Sequence, residues 1–355
     1  MKKILSLLAI GTFIFTSCED NDQTAVKTQD NQIAVDMSDF YAYTDEGDIN
    51  GRAEDGKNCM SMKVLNRQLD ENPGLYNKMF NIEKNSRQFI SMKGKPSNPG
   101  GGGGGGTDPV DPVDDGLGVI NIPVYVHVIY NNSNENISDV QINSQIDVMN
   151  ADFRKSNNDF NSVPAEFAAL GADSQVSFSL AGITRKSTTK TSWGTNDAMK
   201  SSSQGGVDVV TPETHLNIWV CNIGGGILGY AQFPGGNAST DGVVIGPQYF
   251  GTTGYLSAPF DKGRTATHEV GHYLNLRHIW GDGRCRQDDF VADTPSSDGP
   301  NYGCPSYPTV NCKSTDMTMN YMDYTDDACM NMFSEGQKVR MRSIFAANGP
   351  RASML

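Results

Sequence analysis

The sequence predicts an α+β fold for residues 117–355, with a mixed sheet and helices first and an irregular part afterwards. Apolar, β-branched runs of strand length alternate with segments of helical period from 119 to 275. Residues 281–331 are instead rich in Cys, Asp, Pro and Gly. Seven consecutive glycines at 100–106 are typical of a flexible linker, so we predict a domain boundary over 94–116.

The strands and helices of the C-terminal part follow from the same patterns. Strands are predicted at Val119–Tyr130, Val176–Ile183, Leu216–Asn222 and Val243–Tyr249, with a short edge strand at Ile227–Phe233 between glycine-rich turns. Helices are predicted at Ser138–Phe153, Arg264–Asn275 and Ser334–Ala347. The serines that open two of these helices are typical N-cap residues.

The N-terminus has the features of an export signal. Lys2 and Lys3 precede an apolar run, and small residues stand before Cys18. This arrangement resembles a bacterial lipobox, which implies removal of residues 1–17 and lipidation of Cys18; an ordinary signal peptide with an incidental cysteine is the alternative. We predict export to the outer membrane or cell surface, with release of the C-terminal part to the outside. The lipid would be the only membrane attachment, because no apolar run reaches the ~18 residues of a spanning helix.

The composition argues against one class of partner. The formal net charge is −13, and no run of Lys or Arg interrupts the acidic excess. Such a chain would be repelled by nucleic acid, so we expect no nucleic-acid partner.

Two further segments precede the linker. Residues 18–56 are polar with little periodicity, and we predict a disordered tether. Residues 57–93 carry apolar side chains at helical spacing, interrupted by Pro73-Gly74, and we predict a helical segment in two parts. The apolar positions are Leu65, Leu69, Leu75, Met79, Ile82 and Phe89.

Chemistry is concentrated in the segment that reads HEVGHYLNLRH. His268 and His272 are four residues apart, so a helix places both imidazoles on one face, where they suit zinc. Glu269 can then reach a water at the metal. His278 joins them only if the helix ends and the chain turns back. Asn275 stands at that turn, where a left-handed conformation is required, and Asn tolerates this conformation.

This motif is specific. Chance placement of five histidines and ten glutamates gives about 0.002 HExxH matches in a chain of this length. A structural helix with satisfied histidines is therefore the weaker alternative. His127 and His215 lie on or beside predicted strands, and for these two a structural role is favoured.

The motif HExxHxxGxxH, with Asn275 in place of its glycine, resembles that of the metzincin zinc peptidases. Asn320–Tyr324, which reads NYMDY, resembles their methionine turn. Asp293–Pro295 resembles the pappalysin (cytophagalysin) family in particular. The resemblance covers about 57–93 and 117–347.

This resemblance implies a metzincin-type zincin, with a twisted mixed sheet and helices above the cleft and an irregular, disulfide-linked part below it. It implies that Met322 forms a hydrophobic floor beneath the metal. It also implies that Tyr324 offers a mobile hydroxyl to zinc or to the oxyanion.

Four of the seven cysteines lie within 45 residues, which predicts two disulfides in an exported chain. Three pairings are open from the residues alone, and a second zinc site is the alternative. The family resemblance implies Cys285–Cys312 and Cys304–Cys329. Cys221, in an apolar strand, is predicted to be a buried thiol.

Cys59 opens the helical segment. A thiolate is a strong zinc ligand and would fill the position that catalysis needs for water. Pro-segments of pappalysin relatives use such a cysteine, followed by a helix with an Asn-Pro turn like Asn72-Pro73. The resemblance therefore implies that 57–93 is an inhibitory pro-segment and that Cys59 binds zinc in the latent form only. A free surface thiol is the alternative.

The acidic residues in the loop after His278 predict a second metal site. Asp288, Asp289, Asp293 and Thr294 offer hard oxygen ligands at close spacing, which suit calcium. The resemblance implies calcium in this loop. Solvated loop acids are the alternative, because the loop lacks EF-hand spacing.

The resemblance also implies that 322–329 walls the pocket for the residue after the scissile bond. Asp323, Asp326 and Asp327 predict a basic preference there. Arginine-preferring relatives place an acid directly before the last cysteine, where this chain has Ala328, so a weaker preference is expected.

The sequence thus predicts an exported zinc endopeptidase made as a latent precursor, with 117–355 as its catalytic domain. Glu269 would activate a zinc-bound water against a protein or peptide substrate. The substrate would pair with the edge strand at Ile227–Phe233, and the pro-segment would act as an intramolecular inhibitor. The competing hypothesis is a non-catalytic, zinc-containing surface binding lipoprotein, which needs no base beside its metal.

Overall fold

The computed structural model describes residues 33–44, 59–93 and 115–355. The predicted signal peptide, the lipidation of Cys18 and nearly all of the predicted linker lie outside the described residues. Within those three ranges, no helix is both long and apolar enough to cross a membrane.

The helical segment forms two helices, α1 (Ser61–Glu71) and α2 (Leu75–Lys93). They are separated at Pro73, as predicted, because proline cannot continue the backbone hydrogen bonds of a helix. Apolar residues of both helices form one buried cluster with Phe233 of the C-terminal part. The two helices therefore pack on the main body.

The sheet has five strands, β1 (Ile120–Tyr130), β2 (Val176–Ser187), β3 (Leu216–Val220), β4 (Gly229–Ala231) and β5 (Val243–Ile245). Their order is β2-β1-β3-β5-β4. All neighbouring pairs are parallel except β4 and β5, which are antiparallel. The central strand β3 is buried at every residue, as expected for a parallel strand covered on both faces. The predicted edge strand is present as β4, shorter than the pattern indicated.

Four helices belong to the C-terminal part: α3 (Asp139–Phe153), α4 (Ala165–Ala168), α5 (Arg264–Tyr273) and α6 (Glu335–Ser343). Both predicted N-caps are confirmed. Ser138 Oγ accepts a hydrogen bond from Gln141 N at 3.1 Å. Ser334 and Gln337 form a reciprocal capping box at the start of α6.

The segment predicted to be irregular contains two short strands, β6 (Val310–Asn311) and β7 (Ser314–Thr315), and one turn of 3-10 helix at Asp327–Cys329. Disulfides join Cys285 to Cys312 and Cys304 to Cys329, which are the pairs that the resemblance implied. Each closes a loop of 27 or 25 residues. A loop of that length contributes about 3 kcal/mol by restricting the unfolded chain.

The prediction of a disordered tether over 18–56 is wrong for residues 33–44, which we call the N-terminal strap. The Phe40 ring lies 5.5 Å from the ring of Phe80 in α2 and 6.3 Å from that of Phe290. Tyr41 OH donates to the carbonyl oxygen of Asp288 at 2.8 Å. Two adjacent aromatic residues anchor this strap, although the average composition of the segment is polar.

Candidate active site

Helix α5 carries the first two histidines, and every one of its residues is buried. The helix ends in a Schellman motif: Leu276 N donates to Gly271 O, and Asn275 N donates to His272 O, both at 2.9 Å. Asn275 has φ +76°, the left-handed conformation that the sequence predicted. The chain therefore reverses at Asn275 and returns His278 to the face of α5.

The three imidazoles converge on one point. The Nε2 atoms of His268 and His272 are 3.2 Å apart, and His278 Nε2 lies 3.3 Å and 3.1 Å from them. Zinc–nitrogen bonds of ~2.0–2.1 Å in a tetrahedron require edges of roughly 3.3–3.4 Å. Cys59 Sγ completes the group, in which all four atoms lie within 4.8 Å of one another. The donor set therefore fits a tetrahedral zinc ion.

The other nitrogen of each ring is held by an acceptor. His268 Nδ1 donates to Tyr321 O at 2.7 Å, and His272 Nδ1 donates to Leu276 O at 2.8 Å. His278 Nδ1 contacts the Asp282 carboxylate. Because these oxygens accept hydrogen bonds from Nδ1–H, the proton of each ring stays on Nδ1 and Nε2 keeps its lone pair for a metal. Sequence reasoning missed Asp282, which lies four residues after His278.

The methionine turn packs directly beneath α5. Met322 is fully buried, and a Cβ added to Gly271 would lie 2.4 Å from Met322 Sδ. Met322 N donates to Asn320 Oδ1 at 2.9 Å, which fixes the turn. The glycine inside HEVGH therefore allows the methionine to approach the metal-binding helix.

We expect Gly271→Ala to destabilise the protein by about 1–3 kcal/mol, because the added methyl group must displace the methionine sulfur. Thermal unfolding of the zinc-saturated precursor measures the effect. Gly299→Ala is the matched control, since nothing lies within 4 Å of a Cβ there. Equal melting temperatures for the two variants would show that Met322 does not support the helix.

Glu269 lies between the histidines and the edge strand. Its Oε2 accepts hydrogen bonds from Ser61 Oγ at 2.7 Å and from Cys59 Sγ at 3.3 Å. Burial, and then the neighbouring Glu269 carboxylate, raise the pKa of the Cys59 thiol. A thiolate at this position therefore needs a metal cation among the imidazoles to stabilise it.

Residues 59–61 pair with β4, the edge strand that was predicted to bind substrate. Cys59 forms a parallel bridge with Gly229, and Met60 N donates to Gly229 O at 3.1 Å. Ser61 Oγ accepts from Ala231 N at 2.7 Å. Sequence reasoning missed Ser61, because no local pattern distinguishes it from other serines that begin helices.

Aromatic rings enclose the third histidine. The Trp280 ring stacks on His278, with centroids 4.4 Å apart and an angle of 4° between the planes. The Tyr324 ring is nearly perpendicular to His278 at 4.8 Å. Tyr324 OH donates to the Cys59 carbonyl oxygen at 3.3 Å, so it contacts a backbone carbonyl beside the metal-binding group.

The two remaining histidines lie elsewhere. His127 Nε2 is 2.9 Å from Asn217 Oδ1 in the sheet, and burial lowers the pKa of His127. His215 Nδ1 is bonded to Thr211 and Thr214. Both roles are structural, as favoured from sequence. Cys221 is a fully buried thiol, also as predicted.

The four residues predicted to bind calcium have different partners. Asp293 accepts from Ser334 Oγ at 2.6 Å and from Gly336 N at 2.8 Å, which stabilises the start of α6. Thr294 Oγ1 donates to Asp289, and burial raises the pKa of Asp289 well above its usual value. Over the described ranges, these acids do not form a group of three carboxylates. Calcium in this loop stays a prediction and would require backbone carbonyl ligands as well.

Two of the three acids predicted for the specificity pocket bind backbone instead. Asp327 Oδ2 accepts from Lys262 N at 2.9 Å and from Arg264 N at 3.1 Å, which caps α5. Asp323 accepts from Asn301 N at 2.9 Å, and burial raises the pKa of Asp323 to about 7. Asp323 and Asp327 are thus engaged by backbone donors, and the basic preference predicted from Asp323, Asp326 and Asp327 stays a prediction.

Known proteins are similar to this chain in sequence and fold. Residues 207–346 match the family model described as pregnancy-associated plasma protein-A. Extracellular metalloprotease 1 of Coccidioides posadasii is 35% identical over 237 residues, which are 64% of this chain and 77% of that protein. Mature mirolysin of Tannerella forsythia, solved with a cleaved peptide, is 50% identical and has a TM-score of 0.65 over 66% of this chain and 95% of that chain. A promirolysin mutant of the same organism is 42% identical, with a TM-score of 0.70 over 83% and 95%.

These features define a zinc metalloendopeptidase of the metzincin class. They are a mixed sheet above a helix that carries two histidines and a glutamate, and a third histidine beyond a turn. The similar proteins identify the family within this class. The chain belongs to the pappalysin family.

Proposed function

We propose that the chain is a latent precursor of an exported zinc endopeptidase, with His268, His272 and His278 as its zinc ligands. The observation that carries the proposal is the convergence of three Nε2 atoms within 3.1–3.3 Å of one another. When bound, zinc would polarise the scissile carbonyl and supply an activated water near neutral pH.

The remaining chemistry belongs to the side chains around the histidines. Glu269 takes a proton from the attacking water and returns it to the leaving amine, so the carboxylate is restored after each cleavage. Tyr324 donates a hydrogen bond from its hydroxyl to the oxygen of the scissile carbonyl as negative charge develops there. Its hydrogen bond to the Cys59 carbonyl oxygen supports this role. The peptide pairs with β4 as an added strand.

Latency is proposed to come from residues 57–93, the pro-segment. Cys59 is the fourth zinc ligand in the precursor, and Ser61 holds the Glu269 carboxylate at 2.7 Å. Residues 59–61 also occupy the backbone groups of β4 that a substrate would use. One short segment thus covers the metal position, the base and the peptide-binding edge. The promirolysin relative supports a precursor of this kind.

Buried ion pairs hold this pro-segment in place. Glu83 of α2 is 3% exposed, and Arg340 of α6 donates to its carboxylate at 2.7 Å. Arg340 Nε also donates to the carbonyl oxygen of Asn275 at 2.8 Å. The pro-segment is therefore connected through one guanidinium to the turn that returns the third histidine.

Export and activation complete the proposal. Residues 1–17 are the signal peptide, Cys18 is lipidated and residues 19–32 tether the precursor to the membrane. A cut in or near 94–116 releases the catalytic domain at 117–355. Relatives from several fungi are named extracellular metalloproteases, which supports secretion.

Chelation of zinc tests the enzymatic proposal. We expect a zinc-selective chelator to abolish cleavage of a fluorogenic peptide by the processed enzyme, and stoichiometric zinc to restore it, because three neutral imidazoles provide the ligands. Full activity at undetectable zinc would contradict the proposal.

Chelation of calcium tests the second predicted metal, held by Asp288, Asp289, Asp293 and Thr294. We expect a calcium-selective chelator to lower the melting temperature and the resistance to added protease, because an ion that binds only the folded state stabilises that state. An unchanged melting temperature would leave these acids as ordinary loop residues. Peptide cleavage at low temperature, with zinc retained, separates this effect from loss of zinc.

A further inference from the structure

Asp197 is a buried acid above the edge strand, and its two carboxylate oxygens have partners of different origin. It is 7% exposed and has φ +62°. Its Oδ1 accepts from Lys200 Nζ at 2.9 Å and from Tyr230 OH at 3.1 Å. Its Oδ2 accepts from Arg67 Nη2 at 2.5 Å and from Gln68 Nε2 at 3.5 Å.

The partners of Oδ1 belong to the catalytic part, whereas those of Oδ2 belong to α1. Lys200 is itself fully buried and donates to Thr240 O at 2.7 Å, so it stays beneath the carboxylate. Within the described ranges, the hydrogen bonds recorded for Oδ2 all come from the pro-segment. Departure of α1 therefore exposes one carboxylate oxygen while the other stays fixed.

This oxygen lies beside the path of a bound peptide. Tyr230 stands in β4 between Gly229 and Ala231, the two residues that bind the backbone or side chains of 59–61. Along α1, the six steps from Ser61 to Arg67 span about 9 Å. An extended peptide covers that distance in about three residues. A cavity of about 710 Å³, lined by Arg67, Asp197 and residues of both parts, already opens here in the precursor.

We propose that Asp197 is a specificity residue of the processed enzyme that binds an arginine or lysine of the substrate, about three residues from the scissile bond. Arg67 occupies this position in the precursor. The guanidinium of the substrate would donate to Oδ2 in a charge-assisted hydrogen bond, as Arg67 does. The inference rests on the proposed release of the pro-segment.

The test compares peptides that differ at one position. Arg and Met are placed in turn at each of the second to fourth positions on either side of a fixed scissile bond, and kcat/KM is measured with the processed enzyme. We expect an Arg-to-Met ratio of about ten or more at one of these positions, expressed mainly in KM, because the contact is made with the bound substrate before reaction. Ratios near one at every position would overturn the proposal.

The same ratio is then measured in Asp197→Asn, where we expect it to fall to about one to two. A ratio within each variant cancels any general loss of activity. Asp208→Asn is the matched control, since Asp208 lines the same cavity but binds Ser202, and it should keep most of the preference. If Asp197→Asn does not fold because Lys200 loses its partner, Asp197→Asn with Lys200→Met removes both charges. The assignment would be overturned if the folded variant, single or double, kept the preference for Arg. It would also be overturned if Asp208→Asn lost the preference to the same extent.

Failure of the wider account gives a different result. If the processed wild type cleaves none of these peptides although it contains zinc, the proposed peptidase function is at fault. Cleavage of all of them at equal rates leaves that function intact and removes only the role of Asp197.

Discussion

Glu269→Gln is expected to keep about one zinc per chain and to cleave peptides about 10²–10⁴-fold more slowly than the wild type. The amide keeps the shape of the side chain, but it cannot take a proton from water. Zinc content by mass spectrometry and kcat of the processed protein are measured on the same sample.

Glu213→Gln is the control for this prediction, because Glu213 is exposed in a turn before β3, where its backbone carbonyl oxygen accepts from Ser353 Oγ. Peptidase activity retained in Glu269→Gln would remove the carboxylate from the mechanism. Loss of zinc from this variant would show that the substitution had damaged the site instead, and the comparison would then be repeated with Glu269→Asp.

Cys59→Ala is expected to yield a precursor that processes itself during purification, whereas the wild type stays intact. The substitution removes the Cys59 thiol from the group that it forms with the three histidines, so water and substrate would gain access to the proposed metal position. Mass spectrometry should place the cut in or near 94–116 and show a product of about 240 residues.

Three further variants make this result specific. Cys221→Ala removes the other described free thiol, at a buried position in the sheet core, and should leave the precursor latent. Cys59→Ala combined with Glu269→Gln should stay uncut, which would show that processing is by the chain itself. Ser61→Ala should give partial activation, since it frees the base but leaves the thiol. A Cys59→Ala precursor as stable as the wild type would contradict thiolate blockade.

Much of the metal-binding group could be predicted because its determinants are local. The four-residue spacing of His268 and His272 follows from helical geometry, and the left-handed Asn275 follows from the short distance to His278. Both disulfides could be paired only through the family resemblance, since four cysteines permit three pairings.

The contacts that sequence reasoning missed join residues far apart in the chain. Ser61 meets Glu269 across 208 positions, and Arg67 meets Asp197 across 130. The sequence around Ser61 and around Arg67 contains no local pattern that predicts these distant partners. The N-terminal strap was missed for a related reason, because Phe40 and Tyr41 gain their partners only once α2 and the loop around Phe290 have come together.

The acids of the C-terminal part show a second limit. Sequence reasoning assigned Asp293 to calcium and Asp327 to the specificity pocket, because an acid in an irregular segment is expected to serve a ligand. In the structure both accept hydrogen bonds from backbone N–H groups at helix starts, Asp293 at α6 and Asp327 at α5, and the sequence did not predict this capping role. When a side-chain carboxylate from a distant loop caps the N-terminal end of a helix, the local sequence of that helix does not indicate it.

The most direct test of the account is X-ray absorption at the zinc edge of the intact precursor. The account predicts one sulfur at about 2.3 Å and three nitrogens at about 2.0–2.1 Å, with the sulfur absent from the uncut precursor that combines Cys59→Ala with Glu269→Gln and from the processed enzyme. A wild-type precursor whose zinc has only nitrogen and oxygen neighbours would contradict it.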